Sequence, residues 1–395
     1  MLKQQFSIHE TSQSSNLIPV DLLINIFSLV PAKSIARFRC VSKFWASILR
    51  RCDFTELFLT TSSTRPRLLF TFKVGGKLFL YSTHQPHNPD DDNSSLVATR
   101  YNMSFPEYFP SDASTPVCGL VLIQGWRRKM RVVCNPATGE FLTLPKVLLR
   151  EKNLLAKDTE ARDKIVGMYL GYDPMGKQFK VLCMTTTASP YEVRDNTHQV
   201  LTLGPGKRFW RPVERKFHFE ENYIISNEIC INGVLYFGDS SKIVCFNVGS
   251  EKFSFINTNR EMRYSTSLCS LVLFNYKGRL GIYHREKLWS KINRIVFWVI
   301  EDAENHKWTK HICQLFPLEN NMIAYRRFVG MTSTGKFVWS YREPPNTLYL
   351  TFYNSESETF TKVNVQGFDE SEEVEDDYIF IDTYVDYVEN MKWLM

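Results

Sequence analysis

Residues 330–337, GMTSTGKF, carry the Gly-x4-Gly-Lys spacing with which a glycine-rich loop cradles phosphate. The chemistry fails at the next position, where Phe337 replaces the Ser or Thr hydroxyl that would hold Mg²⁺. The FVWSY that follows reads as a strand, so no helix N-terminus is offered to a phosphate, and the segment reads as a hairpin turn. In THQPHNPDDD (83–92), His84, His87 and three acids have a spacing open to a metal. Pro86 and Pro89 make that stretch a loop without a rigid scaffold, and a zinc site needs a clustered set of four ligands. GWRRKMR (125–131) and GKRFWR (206–211) interleave Arg and Lys with Trp, the ingredients of a nucleic-acid surface. With no recognised module or basic helix beside them, they read as basic hairpin tips, equally suited to an acidic protein partner. No G-x-S-x-G, H-E-x-x-H or Gly-rich dinucleotide loop occurs. The residues therefore point to a non-enzyme with no cofactor and no metal. Carboxylate pairs of a glycosidase-like propeller, meeting only in three dimensions, are the enzymatic alternative.

The composition bounds what must position any site. The 395 residues suit a small module plus a large one, and 44% hydrophobic with 23% charged residues are ordinary globular values. No run of about 18 apolar residues predicts a membrane span. The polar first 16 residues, MLKQQFSIHETSQSSN, lack the apolar core of a secretory signal and read as a disordered tail. Nine cysteines, scattered singly with no C-x-x-C, predict reduced thiols and a cytoplasmic or nuclear setting. The net charge of +6 is uneven: DESEEVEDD (369–377) holds seven acids in nine positions, leaving about +13 on the rest. That acidic run reads as a solvated loop or a partner-binding segment.

The N-terminal block LIPVDLLINIFSLVPAKSIARFRCVSKFWASIL (17–49) reads as three short helices. Pro19 suits a first turn and Asp21 favours the positive end of the helix dipole. Leu22, Leu23, Ile26, Phe27, Leu29 and Val30 follow at helical spacing until Pro31 ends the run. A second helix fits Lys33–Phe38, and Ser42 can cap a third through Trp45, Ile48 and Leu49. About a dozen large apolar residues in so small a block exceed what it can bury alone. The surplus must face either the rest of this chain or another protein.

This block resembles the F-box. Ile18-Pro19-Val20-Asp21-Leu22-Leu23 matches the family's opening Leu-Pro-x-Asp-Leu-Leu, with Ile26-Phe27 following. Val30-Pro31-Ala32-Lys33-Ser34-Ile35 and Arg37-Phe38-Arg39-Cys40-Val41-Ser42-Lys43-Phe44-Trp45 match its later segments. The departures at 18, 30 and 35 are apolar for apolar, and the PAKSIARFRCVSKFW form is typical of the large plant family. The resemblance implies docking to a Skp-type adaptor and, through it, to the cullin and RING protein of a ubiquitin ligase. It places Ile18, Pro19, Leu22, Leu23, Ile26, Ile35, Val41 and Trp45 at or near the adaptor interface, with some of them left to the module's own core.

From about residue 65 the pattern turns to β-branched and aromatic runs separated by turn clusters, the signature of strands. An internal repeat joins RVVCNPATGEFLTL, IVCFNVGSEKFSFI and LYLTFYNSESETFTKV, with weaker copies in VLTLGPGKRFWRPV and IVFWVIEDAENHKWTKHI. Its aromatics, Phe141, Trp210, Phe253, Trp308 and Phe360, recur at intervals around the ~40–50 residues of a propeller blade. With a further strand pair before each copy, this predicts a β-propeller of about six blades: 66–112, 117–145, 165–215, 229–258, 268–315 and 326–366. YIFIDTYVDYV (378–388) is expected to close the first blade. Two packed β-sandwich-like halves are the alternative. NPATGEFLTLP and Gly-Tyr-Asp-Pro (171–174) also resemble the F-box-associated domain of plants.

The expectation is a two-part, α+β chain: a disordered tail (1–16), a three-helix F-box (17–60) and a large all-β domain (61–395). The implied function is that of a substrate receptor whose β domain holds an unknown target protein. The competing expectations are a carbohydrate- or nucleic-acid-binding β domain, favoured by exposed Trp126, Trp210 or Trp289, and a degenerate member with no ligase role.

Overall fold

The computed structural model describes residues 18–392 apart from 75–76, 88–94, 104–110, 126–130, 148–161, 189–197, 205, 215–216, 218–226, 239–241, 264–270, 285–293, 316–319, 324–325, 342–346 and 369–379. The acidic run at 369–377, Trp126 and Trp289 lie outside these residues.

Four helices, not three, open the described chain: α1 (Val20–Ser28), α2 (Ala32–Phe38), α3 (Lys43–Ile48) and α4 (Cys52–Ser63). Ser42 caps α3, its hydroxyl accepting from the Trp45 N–H at 3.1 Å. Helix α4 escapes the sequence reading because CDFTELFLTTSS is rich in Thr and Ser, poor intrinsic helix formers. Tertiary packing supplies what propensity lacks: Phe54 and Phe58 fill the module's core, where Leu23, Ile24, Phe27, Ile35, Ile48 and Leu49 also sit.

The β region forms six sheets. The blades after the first are built from strands at 111–143, 162–212, 229–257, 271–314 and 327–366, and each is an antiparallel meander of four strands. The first blade draws its innermost strand, Phe380–Tyr387, from the far end of the chain, beside Arg67–Val74, Lys77–His84 and Thr99–Arg100. That is the closing strand expected from YIFIDTYVDYV. Two details of the expected boundaries are corrected. Ser111–Ala113 belongs to the second blade, and Ser95–Val97 pairs in parallel with Thr359–Gln366 as a fifth strand of the sixth. Both segments are three residues long, too short for periodicity to assign.

Side-chain alternation explains the ring. Leu68 and Phe70 pack with Val338, Leu350 and Phe352 of the sixth blade, while Leu69 packs with Val121, Ile123 and Val132 of the second. Each inner strand thus sends odd and even residues to different neighbours. The same rule generates a separate apolar core between every pair of adjacent blades, six in all. Strands in mid-blade are therefore buried on both faces, as in Lys242–Asn247, whereas the outer strand Lys307–Gln314 alternates toward solvent. Two sandwich-like halves are excluded by this arrangement.

The repeat seen in sequence is the outer hairpin of the blades. Four of its five copies share one turn geometry: Asn247, Asp302 and Asn354 accept a backbone N–H two or three residues on, and the residue four positions after each adopts a left-handed conformation. Asn135 does the same with Gly139 in that place. Elsewhere the left-handed position holds Glu251, His306 or Glu358, at a cost of about 1–2 kcal/mol each. Replacing Glu358 with Gly, as at 139, is expected to stabilise the protein by up to about 1 kcal/mol, offset partly by the looser unfolded chain. A chemical-denaturation midpoint reads this directly.

His198, fully buried between the third and fourth blades, accepts from the Thr185 N–H through Nδ1 and donates through Nε2 to the Phe217 carbonyl. Burial pulls its pKa down from 6.5 to about 4, against the opposing bond to Phe217. The unfolded chain takes up a proton below pH 6.5 that the native site refuses until about pH 4. Stability from this group is thus full above pH 6.5 and drains away as pH falls from 6.5 to 4, by about 3 kcal/mol in all. Unfolding midpoints measured across that range are expected to flatten in His198→Gln.

Candidate adaptor-binding surface and propeller channel

Helix α1 is apolar on two faces. Leu23, Ile24 and Phe27 point into the module's core, while Leu22 and Ile26 are 53% and 49% exposed and Leu29 ends the same outward stripe at 60%. Ile18 and Pro19 precede this stripe and are exposed, and Val41 is exposed beside α3. Trp45 is half-buried, its ring edge-on to Phe27 and Phe38 with centroids 4.9 and 5.4 Å away. Of the eight residues expected at the interface, Leu23 and Ile35 are closed inside the module and serve its core. Leu29 and Phe44, the latter 46% exposed, are outward apolar residues absent from the expected interface set. Helical phase would have found Leu29, because 18, 22, 26 and 29 fall on one stripe. Exposed Lys33, Arg37, Lys43, Arg50 and Arg51 outnumber the exposed acids Asp21, Asp53 and Glu56 and give the helical module a basic surround.

The other side of the module is covered by its own chain. Met391, fully buried, and Ala137 join the helical core. Glu56 of α4 pairs with Lys177 at 2.7 Å, and Arg65 after α4 donates to the carbonyls of Ser28 and Leu29 at the end of α1. Antiparallel meandering puts first–second and third–fourth strand turns on one end of the ring. The helical module sits on that end, through Ala137, Lys177 and Lys392.

A central channel of about 1320 Å³ runs inside the ring. Glu56, Leu59, Thr60 and Ser63 of α4 stand at one mouth, so the helical module covers it. Polar ties cross between the innermost strands. Arg327 donates to Asp382 at 2.8 Å, Tyr384 to the Ala113 carbonyl at 2.8 Å, and the Thr115 N–H to Glu228 at 3.1 Å. Burial raises the pKa of the Glu228 carboxyl. These groups serve one another, and among the described residues no cluster of three or more His, Cys, Asp and Glu could hold a metal. His84 is the last residue of the strand Lys77–His84 and His87 follows it, both exposed. GMTSTGKF is the hairpin turn expected, with the Thr332 N–H bonded to the Lys336 carbonyl. Trp210 is buried and its indole donates to the Pro145 carbonyl at 2.8 Å, so it offers no stacking platform. No helix among the described residues is long and apolar enough to cross a membrane.

The F-box domain profile matches residues 16–57, and that of the F-box associated beta propeller domain matches residues 67–388. The chain belongs to the F-box proteins with an F-box-associated propeller. This F-box protein is similar to the F-box protein At1g53790 of Arabidopsis thaliana, 43% identical over 95% of this chain and 81% of that one. It is also similar to the F-box protein DOR of the same plant, 40% identical over 95% of this chain and 93% of that one. Among solved structures, a chain of a nidogen/laminin complex matches with a TM-score of 0.39 at 11% identity, over 80% of this chain and 98% of that one. In this F-box protein the helical module is thus the F-box, and the exposed stripe on α1 is its candidate adaptor surface.

Proposed function

We propose that this protein is a non-catalytic substrate receptor of a Skp–cullin–F-box ubiquitin ligase. The observation that carries the reading is the two-faced apolar α1: one face fills the F-box core, while Leu22, Ile26 and Leu29 stay exposed on a module already packed against its own propeller. A self-contained cap would have no use for that second face. Ile18, Pro19, Leu22, Ile26, Val41 and Trp45 form the contact with a Skp-type adaptor, which links the receptor to cullin and RING protein. The basic surround favours an acidic rim on that adaptor.

The target protein binds the propeller end away from the F-box, where second–third strand turns and inter-blade links emerge. Holding it there raises its effective concentration near the charged conjugating enzyme. The unpaired cysteines among the described residues fit a reducing compartment, cytoplasm or nucleus. The test is titration of the native chain with a Skp-type adaptor. Binding in the submicromolar range supports the receptor reading, and no binding by a folded chain overturns it.

A further inference from the structure

The last strand of the propeller does not end at the ring. Directly after Phe380–Tyr387, the chain passes between propeller and F-box, and every side chain from 389 to 392 is engaged there. The Glu389 carboxylate accepts from the Ala32 N–H at 3.2 Å with one oxygen and from the Tyr101 hydroxyl at 3.0 Å with the other. It thereby caps α2, whose own N-cap residue is Pro31 and supplies no side-chain bond. Asn390 donates to the Cys118 carbonyl at 2.7 Å, and Asn135 donates to the Asn390 and Lys392 carbonyls. Met391 is completely buried among Leu23, Ile35, Phe54 and their neighbours. Lys392 donates to the Lys177 carbonyl. The fit is close: a Cβ on Gly119 would lie 2.5 Å from the Asn390 Cβ.

We propose that residues 389–392 couple the adaptor-binding competence of the F-box to closure of the propeller ring. The inference rests on the receptor reading for its functional meaning, but its physical content is separate. An F-box of four short helices has too small a core to be robust alone. Here it takes one core residue and one helix cap from a segment more than 330 residues away. That segment is in place only when Phe380–Tyr387 has completed the first blade. A receptor with an open ring therefore presents a loosened F-box, and part of the adaptor's binding energy is consumed in ordering it.

The experiment is amide hydrogen exchange on the full chain, native and with Met391→Ala, Glu389→Ala, and both combined with Asn390→Ala, each titrated with the adaptor. The triple variant is expected to lose exchange protection in α1–α4, with blade amides at 243–246 and 271–274 unchanged, and to bind adaptor at least about tenfold more weakly. Glu389→Gln and Met391→Leu, which keep the acceptor and the volume, are expected to restore most of the protection. Native protection of α1–α4 in the triple variant overturns the coupling. If that variant does not fold, Met391→Ala decides: faster exchange confined to the F-box supports the proposal, and equal acceleration in F-box and blades overturns it. Failure of the native chain to bind adaptor defeats the receptor reading alone, because the exchange result stands without it.

Discussion

Replacing Leu22 and Ile26 together by alanine is expected to weaken adaptor binding about 100-fold while leaving the melting temperature within about 2 °C of native. Both side chains are about half exposed on the free protein, at 53% and 49%. Their loss therefore removes little of the fold's buried area, and surface changes of this kind stay within about 0.5 kcal/mol. In a complex the remaining half is buried at the centre of an apolar stripe, where a truncated anchor costs about 1–2 kcal/mol. Two such losses total about 3 kcal/mol, or two orders of magnitude in Kd. Adding Pro19→Ala extends the loss.

The contrast is with Leu23→Ala and Ile35→Ala. Those side chains are 5% and 0% exposed inside the F-box, and their truncation costs about 2–5 kcal/mol of stability. Calorimetry and titration on the same four variants separate interface from core. An unchanged Kd for the Leu22/Ile26 variant would remove α1 from the interface.

Glu251→Ala is expected to destabilise the propeller by about 3–5 kcal/mol, the largest single-residue effect predicted away from the F-box. Its carboxylate receives the Lys180 ammonium at 2.7 Å and both terminal nitrogens of Arg211, and so ties the third blade to the fourth. Lys180 is only 7% exposed, and its other bonds go to the Val248 and Gly249 carbonyls of the same turn. Removing the acid strands that ammonium in a site without a counter-charge. Arg211, 41% exposed, can turn to water and loses less.

Burial pushes the Glu251 carboxyl up, but the bonds from Arg211 and Lys180 outweigh it and hold its pKa below the ordinary 4.5. Its contribution is accordingly full above pH 4.5 and fades as pH falls further. The double variant Lys180→Met/Glu251→Ala is expected to recover part of the loss, since no charge is then left buried alone. A urea-unfolding loss below about 1 kcal/mol for Glu251→Ala would show that water already screens the pair.

Much of this protein is written in local sequence. The F-box signature lies within a contiguous run, so Pro19, Ser42 and the spacing of apolar residues expose α1 to α3 without any long-range information. The outer hairpins are equally legible, because Asn135, Asn247, Asp302 and Asn354 bond to backbone only two or three residues away. That local repeat suffices to count the blades, and the pattern at 378–388 reads as their closing strand.

What sequence could not decide is which of two equally apolar faces meets a partner. Leu22 and Leu23 are adjacent and chemically identical, yet one is half exposed and the other buried. The difference is set by α4 and Met391, which cover one side of α1. Helix α4 itself was hidden because its stability comes from burying Phe54 and Phe58, not from propensity. The cap that Glu389 places on α2 is a contact across 357 residues, and no periodicity or turn chemistry records it. Local patterning fixed most of the elements. Packing across the closed ring decided which apolar surface remains for another protein.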